Sequence, residues 1–161
     1  MAIRDAVRTM AIVVLVGCVP STAMFAGQAS SAACSVTIAS PKNAERHGAD
    51  VLVSGKATLP AGGSLWVFAH RKGVALWWPQ GGGAASVKPG GDYSVLATLG
   101  GPQDLGADFE IRAQMVDRAD NAKLEAWFKN AEEKGSYPGM RLPAALDGCG
   151  IPPEVTVTKT K

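Results

Sequence analysis

The sequence predicts a mostly β fold, an antiparallel sandwich of about seven short strands with one α-helix inserted before the last strand. Several short segments alternate apolar and polar residues with a period of two, which sends each set to one face of a sheet. The 19 glycines and 10 prolines are scattered between these segments, as expected of a domain with many turns. One segment instead has the apolar spacing of a helix.

The predicted strands become longer and more regular toward the middle of the chain. Residues 64–70 are apolar on both faces, which is typical of a central strand covered on both sides. After a turn at residues 71–73, residues 74–78 are predicted to return as its hairpin partner. The predicted strands are residues 36–38, 51–55, 64–70, 74–78, 93–99, 109–116 and 155–158.

The helical segment precedes the last strand. Its apolar positions fall at i, i+3, i+4 and i+7, which places them on one face of a helix. We expect about three turns, capped at the start by Asp120 or Asn121, ended by Gly135 and packed over an open end or a face of the sandwich. The apolar positions are Leu124, Trp127, Phe128 and Ala131.

The first 33 residues have the order of a bacterial secretion signal: positive charge, then an apolar run, then small residues. The apolar run, residues 10–19, is about half of the ~20 residues that a membrane-spanning helix needs, so a retained helix is disfavoured. Signal peptidase has two candidate sites, after Ala29 and after Ala32. We therefore expect an extracytoplasmic protein, periplasmic or secreted, with one domain at residues 34–161.

A lipid anchor is an open alternative. Residues 15–18, Leu-Val-Gly-Cys, resemble the lipobox of bacterial lipoproteins. The resemblance implies a signal at residues 1–17, a lipid on Cys18 and a tether at residues 18–33. Alternatively, Cys18 is a chance cysteine in an apolar run. Apart from this anchor, we expect no membrane association.

Charge argues against nucleic acid as a partner. Once Arg4, Asp5 and Arg8 are removed with the signal, the 16 basic and 14 acidic residues of the chain become 14 and 13. A nucleic-acid-binding domain normally needs a clustered basic face, which this balance does not provide.

The cysteines predict a disulfide. With Cys18 in the signal segment, Cys34 and Cys149 remain as an even pair near the two ends of the domain. In an oxidising compartment such a pair is expected to bond.

No catalytic motif, metal site or cofactor site is predicted. The sequence lacks the common metalloprotease, serine-hydrolase, dinucleotide and P-loop patterns, and its two histidines are isolated. His70 is expected at a strand end or edge, where Asp92 or Asp117 would be its partner if it acted as a base. His47 lies in a polar segment and is expected in a solvated loop.

The most informative candidate for binding is aromatic. Trp77 and Trp78 are adjacent on a predicted strand, so their side chains point to opposite faces. An exposed tryptophan beside Gln80 and the glycine-rich stretch 81–83 would stack on sugar rings or on a partner peptide. The alternative is that both tryptophans are buried, one between the sheets and one under the helix.

Several segments resemble an immunoglobulin-like or fibronectin-III-like β-sandwich module of exported and multidomain bacterial proteins, over roughly residues 36–158. The resemblance implies an immunoglobulin-like sandwich but no activity and no site residues. The cysteine pair departs from the module and would be a local staple. The matching segments are residues 55–65, 77–82, 100–106, 108–111, 135–139 and 142–143.

These observations favour a non-catalytic binding module of the bacterial envelope, whose partner is an unknown protein or carbohydrate. Two alternatives stay open: a small periplasmic hydrolase or enzyme inhibitor, and a structural accessory subunit that pairs with an envelope assembly through a sheet edge.

Overall fold

The structure, a computed structural model, describes residues 34–160. The predicted signal at residues 1–33, with both cleavage sites and Cys18, lies outside the described residues. Within residues 34–160 the chain forms two β-sheets and one α-helix, which confirms the mostly β fold with a single helix. None of the helices in this range is long and apolar enough to cross a membrane.

Eight strands contribute to the two sheets. The first sheet has the order β1-β3-β6 and the second has the order β2-β8-β7-β4-β5. All neighbours pair antiparallel except β2 and β8, which pair parallel. The strands are β1 (Ser35–Ser40), β2 (Glu45–His47), β3 (Asp50–Thr58), β4 (Ser64–Arg71), β5 (Trp78–Pro79), β6 (Asp92–Thr98), β7 (Asp108–Val116) and β8 (Glu154–Lys159); α1 (Arg118–Lys134) lies between β7 and β8.

The main core lies between the two sheets and follows the alternation seen in the sequence. In β6, for example, Tyr93, Val95 and Ala97 are buried, while Ser94 and Leu96 face solvent. The inward-facing residues of β3, β4, β7 and β8 complete the same apolar cluster. The period-two pattern therefore predicts correctly which residues face inward.

The five-stranded sheet also has a buried outer face, because α1 packs against it. Trp66 and Phe68 of β4 form a second apolar cluster with Leu124 of the helix. The indole N–H of Trp66 donates to the Asn121 side-chain oxygen at 2.8 Å, which satisfies its buried polar atom. The expectation that residues 64–70 form a central strand covered on both sides is confirmed.

The helix is longer than predicted. It begins at Arg118 because the Asp117 carboxylate caps it, accepting from the Asp120 backbone N–H at 2.8 Å. Asp120 and Asn121, the predicted caps, therefore lie inside the helix, which spans 17 residues, or nearly five turns. It ends as predicted at Gly135, which has the left-handed backbone conformation that glycine adopts without a steric penalty.

The hairpin predicted for residues 74–78 is largely wrong. Only Trp78 and Pro79 pair with β4, and residues 72–76 form a loop. The backbone of Trp77 pairs instead with Met140, with N···O distances of 2.8 and 2.9 Å. The segment after the helix thus pairs with the edge of this strand that faces away from β4.

The segment around His47 is not a loop. Residues 45–47 form β2, which pairs with the last strand, and the His47 imidazole is half-buried beside the Glu45 carboxylate at 3.1 Å. Lys159 ends β8 with only 2% of its surface exposed. Its ammonium donates to the carbonyl oxygens of Gly100 and Gly101 at 3.2 and 2.7 Å.

The predicted disulfide is present. Cys34 and Cys149 are bonded, with Cα atoms 4.9 Å apart. Both are half-buried and pack against the core between the sheets. The bond links the start of β1, in the three-stranded sheet, to the loop before β8, in the five-stranded sheet.

Candidate functional site

A groove of about 710 Å³ lies among the described residues. Ligand pockets commonly have volumes of this size. We call it the aromatic groove, because four of its side chains are exposed or half-buried aromatic rings. It is lined by Ala69, His70, Arg71, Val74, Trp78, Pro79, Gln80, Gly81, Gly82, Leu96, Thr98, Gly100, Gly101, Gln103, Asp104, Phe109, Trp127, Phe128 and Tyr137.

The helix and the segment after it supply three of the aromatic rings. The Tyr137 ring meets Trp127 and Phe128 edge-on, with centroids 6.2 and 5.9 Å apart. Trp127 and Phe128 are themselves 6.0 Å apart. Such edge contacts are favourable for aromatic rings and hold each in place. The rings stay accessible, and Tyr137 is 49% exposed.

Trp78 is the fourth ring, and the local backbone fixes it. Its indole N–H donates to the Tyr137 carbonyl oxygen at 2.9 Å. The ring also lies against the backbone of Gly139, where a Cβ atom would come within 2.7 Å of Trp78 Cζ2. A side chain at position 139 would therefore displace the indole.

The groove also has polar lining. The Arg71 guanidinium lies 3.2 Å from the Asp104 carboxylate, which in turn accepts from the backbone N–H of Gly101 at 2.9 Å. Gln103, exposed beside them, donates weakly to Asp104 at 3.3 Å. Apart from His70, which is charged only when it is protonated, Arg71 and Asp104 are the only ionisable acidic or basic side chains in the lining.

Gln80 joins the two sheets at the groove. Its side-chain oxygen accepts from the Thr98 backbone N–H of β6 at 2.9 Å, and its amide nitrogen donates to the Trp78 carbonyl at the same distance. Gly81 follows with φ +76°, and a Cβ atom there would lie 2.5 Å from Val95. Position 81 therefore requires glycine, and both Gly81 and Gly82 are exposed and line the groove.

His70 borders the groove at the end of β4 and has a partner that the sequence did not predict. Its Nε2 lies 2.7 Å from the Glu110 carboxylate, and its Nδ1 lies 2.6 Å from the Val74 carbonyl oxygen. The ring stacks on Trp77 with centroids 3.7 Å apart. Neither imidazole nitrogen is free, because each is engaged with an oxygen of the protein.

The partners proposed for His70, Asp92 and Asp117, have other roles. Asp117 caps the helix, and Asp92 lies 2.9 Å from Lys56 on the outer face of the three-stranded sheet. The hydrogen bond and charge of Lys56 hold the pKa of Asp92 below its usual value. Both side chains of this pair are well exposed, so solvent screens their interaction.

The structure separates the residues of the predicted aromatic platform. Trp77 is buried, 8% exposed, and contacts His70 and the guanidinium of Arg112, whose Cζ lies 5.1 Å from the indole centroid. Trp78 and Gln80 both line the groove, but the polar atoms of Gln80 are used within the protein. Binding by these residues stays a prediction.

Most of the groove could not be predicted from the sequence. Trp127 and Phe128 were expected to be buried by the sandwich, yet they are half-buried and line the groove. Tyr137 carried no signal beyond its place in a Gly-Pro-rich segment. Its proximity to the helix depends on the turn at Gly135, where Ser136 N–H bonds back to Ala131 at 3.0 Å.

Within residues 34–160, no group of three or more histidine, cysteine, aspartate or glutamate side chains is placed to hold a metal ion. No protein-family model matches the chain, and the search of curated proteins gives no significant match.

Proposed function

We propose that this chain is an exported, non-catalytic β-sandwich module of the bacterial cell envelope that binds its ligand in the aromatic groove. The observation that carries the proposal is the groove itself. Four accessible aromatic rings are held in fixed positions beside an ion pair and exposed glycine backbone. A ligand site usually combines a lining of apolar and aromatic side chains with a small number of polar groups.

Two independent features support the extracytoplasmic location. The first 33 residues have the composition of a secretion signal. The bond between Cys34 and Cys149 is of a kind that persists in oxidising compartments and is rare in the bacterial cytosol. We propose a periplasmic or secreted protein, and lipidation of Cys18 is part of this proposal only as an open alternative.

An immunoglobulin-like relationship is the finer proposal for the fold. Two sheets that share one core support it. The parallel pairing of β2 with β8 and the helix on the outer face of the five-stranded sheet depart from a plain seven-stranded sandwich.

A hydrolase is the second candidate, because a histidine–carboxylate pair, His70 and Glu110, borders the groove. Its geometry supports catalysis less well than binding. A general base must have a nitrogen that reaches the substrate proton, and both nitrogens of His70 contact protein oxygens. Any hydrolytic activity found with the exported protein should be measured in His70→Ala; full retention would dismiss His70 as the catalyst.

The structural-subunit alternative needs an open sheet edge. In the three-stranded sheet, β6 is one edge strand. There the Thr98 backbone N–H donates to the Gln80 side-chain oxygen, and the Asp92 carbonyl oxygen accepts from the Lys88 N–H at 2.8 Å. At the other edge, β1 has an irregular register between Ile38 and Ser40. Both features interrupt the continuous edge that strand addition requires.

Binding to defined probes tests the proposed function. The full chain would be expressed with export, and the purified protein screened against oligosaccharides, peptides and an apolar dye. We expect at least one class to bind and to be lost in Trp78→Ala. Ile151→Ala is a matched control, because Ile151 is a highly exposed apolar side chain outside the groove. If no probe distinguishes the two variants, the groove is not a binding site.

A further inference from the structure

We infer that the ligand of the aromatic groove is an uncharged glycan. This inference rests on the proposed function of the groove as a binding site and adds the chemical class of the ligand. Three observations carry it: the accessible aromatic rings, the cancellation of charge in the lining, and the exposed hydrogen-bonding groups beside the rings.

The aromatic rings suit the flat faces of sugars. A pyranose ring has faces of C–H groups that pack on an aromatic ring, while its hydroxyls point outward in the ring plane. Trp78 and Tyr137 are placed for such packing, because each is anchored on one side by the protein and borders the groove. Rings that are fixed before binding reduce the ordering that the ligand must impose.

The charges favour a neutral ligand. The Arg71 guanidinium and the Asp104 carboxylate lie 3.2 Å apart and neutralise one another. An anionic lipid or a uronic-acid polymer would need an uncompensated cation in the lining, and a basic peptide would need an uncompensated carboxylate there. The Lys159 ammonium donates to the lining residues Gly100 and Gly101, but Lys159 is buried and is not itself part of the lining. His70, which also borders the groove, is engaged with Glu110 and does not supply a free charge.

The hydrogen-bonding groups match hydroxyls better than they match an acyl chain. Arg71, Gln103 and Asp104 are planar groups with several donors and acceptors, and the first two are exposed. Gly81 and Gly82 add uncovered backbone to the lining. These groups already contact one another, but an acyl chain in the groove would also cover their remaining donors and acceptors, which solvent now satisfies, at a cost for each one that becomes buried.

The test is a binding screen of the exported full-length protein with defined probes. The probes are neutral oligosaccharides of glucose, mannose and N-acetylglucosamine, an oligogalacturonate, the dye N-phenyl-1-naphthylamine and an array of random peptides. Positive classes are then titrated by calorimetry. We expect a neutral oligosaccharide to bind, with little change in affinity between low and high salt.

Groove variants then locate the site. We expect Trp78→Ala and Tyr137→Ala each to weaken binding at least about tenfold, the loss expected for one aromatic stacking contact. Gln103→Ala should weaken it about two- to tenfold, as for one hydrogen bond. Ile151→Ala should bind as the wild type does. Tyr137 is half exposed, so its variant remains informative if Trp78→Ala unfolds.

The two ways of failing are distinguishable. If the oligogalacturonate, the dye or a peptide binds in a groove-dependent way and no neutral glycan does, the glycan inference is overturned while the proposed function stands. If a neutral glycan binds equally well to all the groove variants, its site is elsewhere and the inference is overturned. If no probe binds in a way that depends on Trp78 or Tyr137, both the inference and the proposed function fail.

Discussion

Replacing Cys34 and Cys149 together with serine removes the covalent link between the two sheets. The double replacement is preferred to a single one, because a single replacement would leave a free thiol able to form mixed disulfides. Both cysteines are half-buried, so the exchange of sulfur for oxygen disturbs the packing only modestly. The main effect is therefore on the unfolded chain, which becomes free to expand.

The expected loss follows from the length of the loop. The bonded residues are 115 positions apart, so the chain-entropy relation gives about 4–5 kcal/mol of lost stability at 25 °C. Measured losses for native disulfides of small secreted domains run from about 2 to 5 kcal/mol. Either value is a large share of the roughly 5–15 kcal/mol that holds a domain folded.

Denaturant unfolding followed by tryptophan fluorescence measures the loss. We expect the double variant and the reduced wild-type protein to unfold at similar, lower denaturant concentrations than the oxidised wild type. Their dependence on denaturant should also be steeper, because an uncrosslinked chain exposes more surface when it unfolds. A loss below about 1 kcal/mol would refute the loop-length explanation.

Three further predictions concern the buried residues Leu124, Lys159 and Tyr93. Leu124→Ala should lower the free energy of unfolding by about 2–5 kcal/mol in the same assay, because Leu124 is fully buried between helix and sheet. The control Lys129→Ala, at an exposed position of the same helix, should lower it by less than about 0.5 kcal/mol. Equal losses would mean that Leu124 does not anchor the helix. Lys159→Met should lose about 1–3 kcal/mol, because two glycine carbonyls lose a charged donor, and an unchanged midpoint would contradict this role. Burial raises the pKa of Tyr93 from 10.0 to about 12. The contribution of the neutral phenol to folding stability is therefore complete below pH 10 and is lost as the pH rises toward 12. From pH 9 to 12 the wild type should therefore lose up to about 2–3 kcal/mol more than Tyr93→Phe, and parallel pH profiles would show that this phenol does not couple to folding.

The alternation of apolar residues was sufficient to predict most of the sheets. It identified the inward face of β6, which is buried on one side only, and that of β7, whose outward residues Glu110, Arg112 and Gln114 are polar. The doubly apolar pattern of residues 64–70 likewise predicted a strand with two covered faces. In each case the signal lies within the strand itself.

The parts that were missed depend on contacts between distant segments. β2 has a polar sequence and becomes a strand because β8, over a hundred residues later, pairs with it. Similarly, the hairpin expected at residues 74–78 is reduced to Trp78 and Pro79, and Trp77 pairs with Met140, which lies more than sixty residues later. Local periodicity contains no information on such distant pairings.

The groove was only partly predictable for the same reason. The adjacency of Trp77 and Trp78 predicts that their side chains point to opposite faces and leaves open whether either is accessible; in the structure Trp78 lines the groove. Tyr137 and the pair Arg71–Asp104 reach it from separate segments, through the turn after the helix and the short 3-10 helix at Pro102–Asp104. Similarly, the pairing of His70 with Glu110 follows from the register of β4 and β7, which brings these two residues opposite each other.

The disulfide also determines how the domain would respond to tension. When the chain is pulled at residues 34 and 160, the bond carries the load between Cys34 and Cys149, so the residues between them cannot extend. Only the 11 residues after Cys149 can be drawn out, to about 40 Å, whereas the same span without the bond would reach about 440 Å. Single-molecule stretching should therefore show detachment of β8 alone, and its full extension only after reduction.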